Sequence, residues 1–210
     1  LKIAIGITHV PRKVETLGKS LLTLPKGVGV TVYPDGMHTL NTSVAVKRLG
    51  DRVGCFRHWY RVLADLCETD ADAVGIMPDD VQYHSSVWSV ITSKLAEDGT
   101  GYVAAFLPKG MADRYGWRQG WHECKGGWAT SWGGGYVFPI AVARELIAHP
   151  YIINHRDHYA KNKQIDHAIP EAVHRMGLKQ WYHYPSLLRH IGYTSTVGHK
   201  HTEAENAAGW

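Results

Sequence analysis

The sequence predicts an α/β domain built on a mostly parallel central sheet flanked by helices. Two observations carry that expectation. First, β-rich apolar runs at residues 2–8, 28–33, 73–77 and 101–107 alternate with stretches of helical spacing, the order that crossover connections between parallel strands require. Second, two of those runs end in acids, Asp35 after the second and the pair Asp79 and Asp80 after the third. A buried strand that delivers charge to its carboxyl end points to the edge where open α/β sheets hold ligands.

At 210 residues, 44% hydrophobic and 10% aromatic, the chain has the length and composition of one folded domain, expected over residues 1–199 with a polar tail at 200–210. No apolar run approaches the roughly 18–20 residues that a membrane span needs, and no signal-like segment precedes the first strand. Neither a membrane nor an obligate protein partner is expected. Three cysteines, Cys55, Cys67 and Cys124, show no Cys-x-x-Cys spacing. So sparse a set fits a reducing compartment, and the expected location is the cytoplasm. The formal charge of +4 fits an anionic ligand or polymer without requiring one.

Residues 2–8 are β-branched and run into His9-Val10-Pro11-Arg12, a loop at the ligand edge. Val14, Leu17, Leu21 and Leu24 then repeat at helical spacing up to Pro25, and the second strand breaks at the turn signal Pro34-Asp35-Gly36. Residues 37–52 are polar and basic and read as loop. Across residues 53–68, Phe56, Trp59-Tyr60, Leu63 and Leu66-Cys67 form the apolar stripe of an amphipathic helix, with Arg57, His58, Arg61 and Asp65 off it. The aromatic rings on that stripe read as core. Ser85 is the expected N-cap of the helix after the acid pair.

Residues 108–135 differ from the rest, with four tryptophans, seven glycines from Gly116 onward and the basic groups Lys109, Arg114, Arg118 and Lys125. Flat rings stack on sugars or bases, and glycine admits close backbone approach; the same rings also serve as core, as at least half of the chain's eight tryptophans are expected to. Tyr136-Val137-Phe138 reads as a strand leading into a helix headed by Pro139. Residues 151–166 are polar and His-rich. Pro170 is suited to start a short helix ending at Gly177, and residues 178–184 read as a strand before the closing segment from Pro185.

Adjacent carboxylates repel unless a cation or water intervenes, and hard ions such as Mg2+ or Mn2+ favour such oxygens together with ligand phosphates. A solvated Asp-Asp turn is the plainer reading of Asp79 and Asp80. Asp35 can accept hydrogen bonds from a ribose or base, or simply close a Pro-Asp-Gly turn. Neither Gly-x-Gly-x-x-Gly after the first strand nor Gly-x-x-x-x-Gly-Lys-Ser/Thr occurs, which removes the dinucleotide fingerprint and the P-loop. His155 and His158 with Asp166 and His167 suggest a zinc hydrolase, but no His-Glu-x-x-His occurs and no cysteine joins a ligand pair. A non-catalytic sugar- or nucleic-acid-binding module built on the tryptophans would not need paired acids at a sheet edge.

Several features fall in order along residues 2–199: a second strand ending in an acid, an apolar strand ending in Asp79-Asp80-Val81, a glycine-rich strand at Gly134-Gly135-Tyr136, and a later Asp166 followed by a helix. The chain closes on Pro185-Ser186-Leu187, His190-Ile191-Gly192 and Ser195. Together these resemble the GT-A glycosyltransferases, a Rossmann-like fold, and the closing motif is similar to that of small phage-type enzymes that sugar-modify hypermodified DNA bases.

The resemblance implies that Asp79 and Asp80 are DXD-type acids holding Mn2+ or Mg2+ against the diphosphate of a nucleotide-sugar donor, expected to be a UDP-sugar, with Asp80 the direct ligand. It further implies that His190 completes the metal shell, that Asp35 contacts the nucleoside and that Asp166 deprotonates the acceptor hydroxyl, as in inverting members. The candidate donor-binding set is then His9, Asp35, Asp79, Gly134 and Gly135. Pro78 stands where related sequences often carry a third acid, and Ile165 precedes Asp166 in place of the usual one. Lys47, Arg48, Arg52, Arg114, Arg118 and Lys125, with adjacent aromatics, suit DNA whose target base is turned out of the stack. The expected acceptor is therefore a hydroxyl on a modified base, with a saccharide or protein acceptor as the alternative.

Overall fold

The computed structural model describes residues 1–11, 15–125, 135–158 and 165–192. In chain order its elements are β1 (Ile3–His9), α1 (Leu17–Thr23), β2 (Gly29–Pro34), β3 (Ala45–Val46), α2 (Cys55–Leu66), β4 (Ala73–Pro78), β5 (Val81–Tyr83), α3 (Val87–Leu95) and β6 (Thr100–Ala104). There follow α4 (Lys109–Tyr115), β7 (Gly120–Glu123), β8 (Tyr136–Pro139), α5 (Ile140–Ala148), α6 (Pro150–His158), α7 (Ile165–Arg175), β9 (Lys179–Tyr184) and β10 (Leu188–His190). Eight strands form one sheet in the order β3-β2-β1-β4-β8-β6-β9-β7, and β5 pairs with β10 in a separate ribbon. Strands β3, β2, β1 and β4 are mutually parallel neighbours, as are β6 and β9. Strand β8 runs antiparallel to both β4 and β6, and β7 antiparallel to β9. This is the α/β architecture, mostly parallel and flanked by helices, that the sequence predicts.

Side chains alternate across the sheet and both faces are covered, which is why the central strands are apolar throughout rather than at every second position. Val32, Met77, Val103 and Val137 meet α1 and α3 on one face, whereas Tyr33, Val74, Ile76, Tyr102 and Phe138 meet α2, α5, α6 and α7 on the other. Phe56, Trp59, Val62, Leu63 and Leu66 are the buried stripe of α2, each contributing about 1.5–3 kcal/mol by leaving water. That helix seats on β1 at Gly6, where a Cβ would lie 2.6 Å from Val62 Cγ1 and 3.1 Å from both Leu66 Cδ1 and Tyr33 Cε2.

Local pattern misleads where tertiary contacts decide. The segment read as loop at 37–52 contains β3, recruited to the sheet edge by β2 through Thr31 opposite Ala45 and Val32 opposite Val46. Residues 150–158 form α6, with Ile152 and His155 buried. Pro170 does not open a helix but sits inside α7. Its missing N–H removes one ladder bond, while its ring is buried and its carbonyl accepts from Gln180 Nε2 at 2.9 Å. Ser86, not Ser85, borders α3, and it makes no side-chain cap bond. Of the tryptophans described, Trp59 and Trp88 are buried, while Trp117, Trp121 and Trp181 are partly buried against the core. Among the described residues no helix is long and apolar enough to cross a membrane.

Candidate active site at the carboxyl edge

Because β8 runs against β4 and β6, its start lies at their carboxyl ends, with Tyr136 opposite both Ile76 and Ala104. His9, Asp35, Asp79, Asp80 and Gly135 therefore share one edge of the sheet. Gly135 has a φ of 74°, and a Cβ there would lie 2.6 Å from Met77 Sδ, so this backbone packs directly on β4.

The bend after β4 sends the two adjacent acids apart. Asp79 is 1% exposed; its Oδ2 accepts from His9 Nδ1 at 2.6 Å and from the Val10 backbone N–H at 3.4 Å. Asp80 Oδ2 instead lies 3.0 Å from His190 Nε2, across 110 positions of sequence. His190 reaches it because β10 pairs antiparallel with β5, opposite Val81. The closing segment is stitched down along its length. Ile191 N donates to Asp80 O at 2.8 Å, Leu187 N to Ala105 O at 3.0 Å, and Leu107 N to Ser186 Oγ at 2.9 Å. Gly192 follows, and a Cβ there would come within 2.6 Å of Asp80 Oδ2.

At the end of β2, the carboxylate of Asp35 binds the entry to α2. Its Oδ1 accepts from Val53 N at 2.9 Å, its Oδ2 from Gly54 N at 3.3 Å, and Arg52 Nε lies 3.8 Å from Oδ2. Behind it His58, which the apolar spacing leaves off the helix stripe, is buried. Its Nε2–H donates to Tyr33 O at 2.9 Å and its Nδ1 lies 3.9 Å from Asp35 Oδ1. Burial holds His58 below the ordinary histidine value. His38 lies against His9 with ring centroids 5.2 Å apart, and burial, then the charges of His9 and Arg48, lower it as well. Sequence reasoning missed both histidines. For His58 a signal existed, since it stands four residues before buried Val62 on the same helical face; for His38 there was none.

Asp166 stands half-buried in the first turn of α7. That helix leads into β9 through the turn at Gly177, so its first turn lies toward the carboxyl edge. Burial raises the phenols of Tyr102, Tyr136 and Tyr182 well above the ordinary tyrosine value, and the charge of Asp166 adds to each shift. Tyr102 OH donates to Gln180 Oε1 at 2.9 Å and lies 3.1 Å from Tyr182 OH. Gln180 in turn holds the Pro170 carbonyl, so this buried cluster, which no motif announced, fixes the seat of α7.

Lys47 forms an ion pair with Asp65 at 2.5 Å, which occupies it otherwise than with phosphate. Arg48, Arg52, Arg114, Arg118 and Lys125 are exposed. Among the described residues, no group of three or more His, Cys, Asp or Glu side chains is disposed to hold a metal ion, so neither His155, Asp166 and His167 nor Asp79, Asp80 and His190 form the three-ligand set expected of them; the side chain of His158 lies outside the described residues. Gly134, Trp128, Trp132 and the tail at 200–210 lie outside the described residues.

No protein-family model matches the chain, and no curated protein matches it. Among solved structures it is similar to GalNAc-T7, crystallised with UDP, GalNAc and Mn2+, with a TM-score of 0.66 and 9% identity over 91% of this chain and 44% of that one. The chain thus spans less than half of that protein's length. At such low identity the likeness is one of fold, and it assigns the chain a GT-A-like α/β architecture.

Proposed function

We propose that this chain is a metal-dependent glycosyltransferase that moves a sugar from a nucleoside-diphosphate sugar, a UDP-sugar, to an acceptor hydroxyl on a hydroxylated base of phage DNA. The observation that carries this reading is the Asp80 and His190 pair, gathered from distant parts of the chain at the ligand edge of the sheet. The likeness in fold to a protein crystallised with UDP and Mn2+ supports it.

The donor atoms fit such an ion. Asp80 would supply a carboxylate oxygen, which Mn2+ and Mg2+ both favour, and His190 an imidazole nitrogen, which suits Mn2+ better than Mg2+. Asp80 Oδ2 and His190 Nε2, hydrogen-bonded at 3.0 Å, are the two atoms that would hold it. When bound, a divalent cation would stabilise the charge that develops on the departing diphosphate.

The chain's own groups supply the remaining work. Asp79 engages Nδ1 of His9, which leaves Nε2 as the nitrogen available to the donor. Asp35 meets the nucleoside with the lone pairs that Val53 and Gly54 do not use. Asp166 accepts the proton of the acceptor hydroxyl as that oxygen bonds to the anomeric carbon. The exposed Arg48, Arg52, Arg114, Arg118 and Lys125 favour a polyanionic acceptor.

The test is mass analysis of products after incubation with Mn2+, mixed nucleotide sugars, and hydroxylated DNA, saccharide or peptide acceptors. Sugar is expected on hydroxylated DNA, lost on chelation and in Asp166→Asn, while Asp166→Asn still binds UDP. Full transfer by Asp166→Asn removes its role as base. Transfer to a saccharide or peptide alone replaces the acceptor, and absence of both transfer and UDP binding ends the reading.

A further inference from the structure

The connection from α4 to β7 carries a ladder of rings that the donor site does not use. Trp117 lies face to face with His122, their centroids 4.9 Å apart and planes 6° from parallel, and with Tyr115 at 5.3 Å and 24°. Inward, it meets Tyr182 at 5.9 Å. Trp117 is packed partly buried against the core, whereas Tyr115 at the outer end is 51% exposed. Two bonds hold the ladder: Trp117 N donates to Ala112 O at 3.0 Å, and His122 Nε2–H donates to Arg118 O at 2.5 Å.

Two further facts say what this ladder is near. Gly120 pairs with Tyr184 at the carboxyl end of β9, so residues 116–119 lie at the edge that carries Asp80. Tyr182 belongs both to the ladder and to the phenol cluster that feels the charge of Asp166. The rings thus run from buried Tyr182 outward to solvent at Tyr115. Arg114 and Arg118 are exposed next to Tyr115 and Trp117 in the chain, and Lys125 follows β7; Asp113 and Glu123 are the acids of this stretch. The cations are in excess.

We infer that the Tyr115, Trp117 and His122 ladder is the acceptor platform, and that its occupant is an unstacked nucleobase of DNA whose phosphates meet Arg114 and Arg118. Near-parallel rings ending in an exposed face are what a further planar ring continues, and base stacking of this kind tolerates any sequence because every base has such a face. A neutral saccharide could cover one ring but would leave both guanidinium groups unused. The inference rests on the transferase reading for the fate of the acceptor hydroxyl; binding to the ladder does not depend on it.

The test measures anisotropy of a short labelled single-stranded oligothymidylate with the full chain over a range of salt, alongside UDP titration in Mn2+. Tyr115→Ala is expected to weaken oligonucleotide binding about tenfold, with Tyr115→Phe restoring it. Arg118→Ala is expected to reduce the salt slope by roughly one. UDP affinity should be the same in all three variants. Oligonucleotide binding that ignores Tyr115, a ring-free polyanion binding with the same Tyr115 dependence, or a neutral oligosaccharide in the oligonucleotide's stead would each overturn the inference. If UDP binds and the oligonucleotide does not, the platform is wrong and the transferase reading stands. If the oligonucleotide binds through Tyr115 and UDP does not, the platform stands and the transferase reading falls.

Discussion

Replacing Gly192 by alanine tests the proposed metal pair, Asp80 and His190, without altering either side chain. The new Cβ would lie 2.6 Å from Asp80 Oδ2, 2.9 Å from His190 Cε1 and 3.1 Å from His190 Nε2, whereas ordinary contact begins at 3.4 Å. Relieving the first contact alone requires the difference between 3.4 and 2.6 Å, about 0.8 Å of movement by the carboxylate. Metal sites tolerate departures of about 0.2 Å in ligand distance. If the pair holds an ion as proposed, that displacement would disturb it, and changes just outside a metal's ligands weaken its binding by about 10–100-fold.

The fold should not suffer in proportion. Both obstructing groups are side-chain ends, His190 with 27% and Asp80 with 7% of the side chain exposed, so the methyl displaces side chains rather than backbone and stability changes by about 1 kcal/mol. Calorimetric titration of UDP into wild type and Gly192→Ala, in Mn2+ and in EDTA, separates the two effects. Weaker binding in Mn2+, no difference in EDTA and a Tm within about 4 °C of wild type are expected. Wild-type UDP affinity of Gly192→Ala in Mn2+ would refute the assignment of Asp80 and His190.

Gly6→Ala pushes a methyl to 2.6 Å from Val62 Cγ1; overpacking beneath α2 should cost about 1–3 kcal/mol and lower the Tm by roughly 2–12 °C, and an unchanged Tm would contradict the close seating of that helix. His38, His58 and His155 all titrate below their usual 6.5 because burial disfavours the imidazolium. The folded chain thus binds fewer protons than the unfolded one just below that value, so stability is complete above about pH 6.5 and falls as the pH drops further. A Tm series across that range should show the decline, and His58→Gln, whose amide can still donate to Tyr33 O, should flatten it; a Tm flat in acid would be the contrary result. Burial raises the Cys67 and Cys124 thiols to about 11, while Cys55 is exposed, so a neutral thiol reagent should label one site in the native chain and three after denaturation. Native labelling at two sites would refute that burial.

Legibility of the fold tracks how local each cause is. Strands β1, β2 and β4 announce themselves because an apolar run bounded by turn residues is a local signal, and α2 does so because its stripe repeats every three to four residues. The direction of β8 was not legible, since Tyr136-Val137-Phe138 reads the same whether it joins its neighbours parallel or antiparallel. Strand β3 exists only because β2 offers it an edge. Pro170 misled for a related reason: its cost within α7 is local, whereas the buried ring and the bond from Gln180 are not.

The site shows the same limit within a single dipeptide. Asp79 and Asp80 are equivalent in sequence, and a pair of acids suggests one shared ion. Their surroundings separate them. A carboxylate with 1% exposure, left without a counterpart, carries a desolvation penalty of several kcal/mol, and for Asp79 the counterpart is the imidazole of His9. Asp80 instead meets His190 at 3.0 Å, and Gly192 packs against both, a Cβ there lying 2.6 Å from Asp80 Oδ2. The first acid thus anchors the end of β1, while the second is tied to the closing segment through β10. In the proposed site the ion would be held by Asp80 and, from β10, by His190, so that no third acid is needed at Pro78.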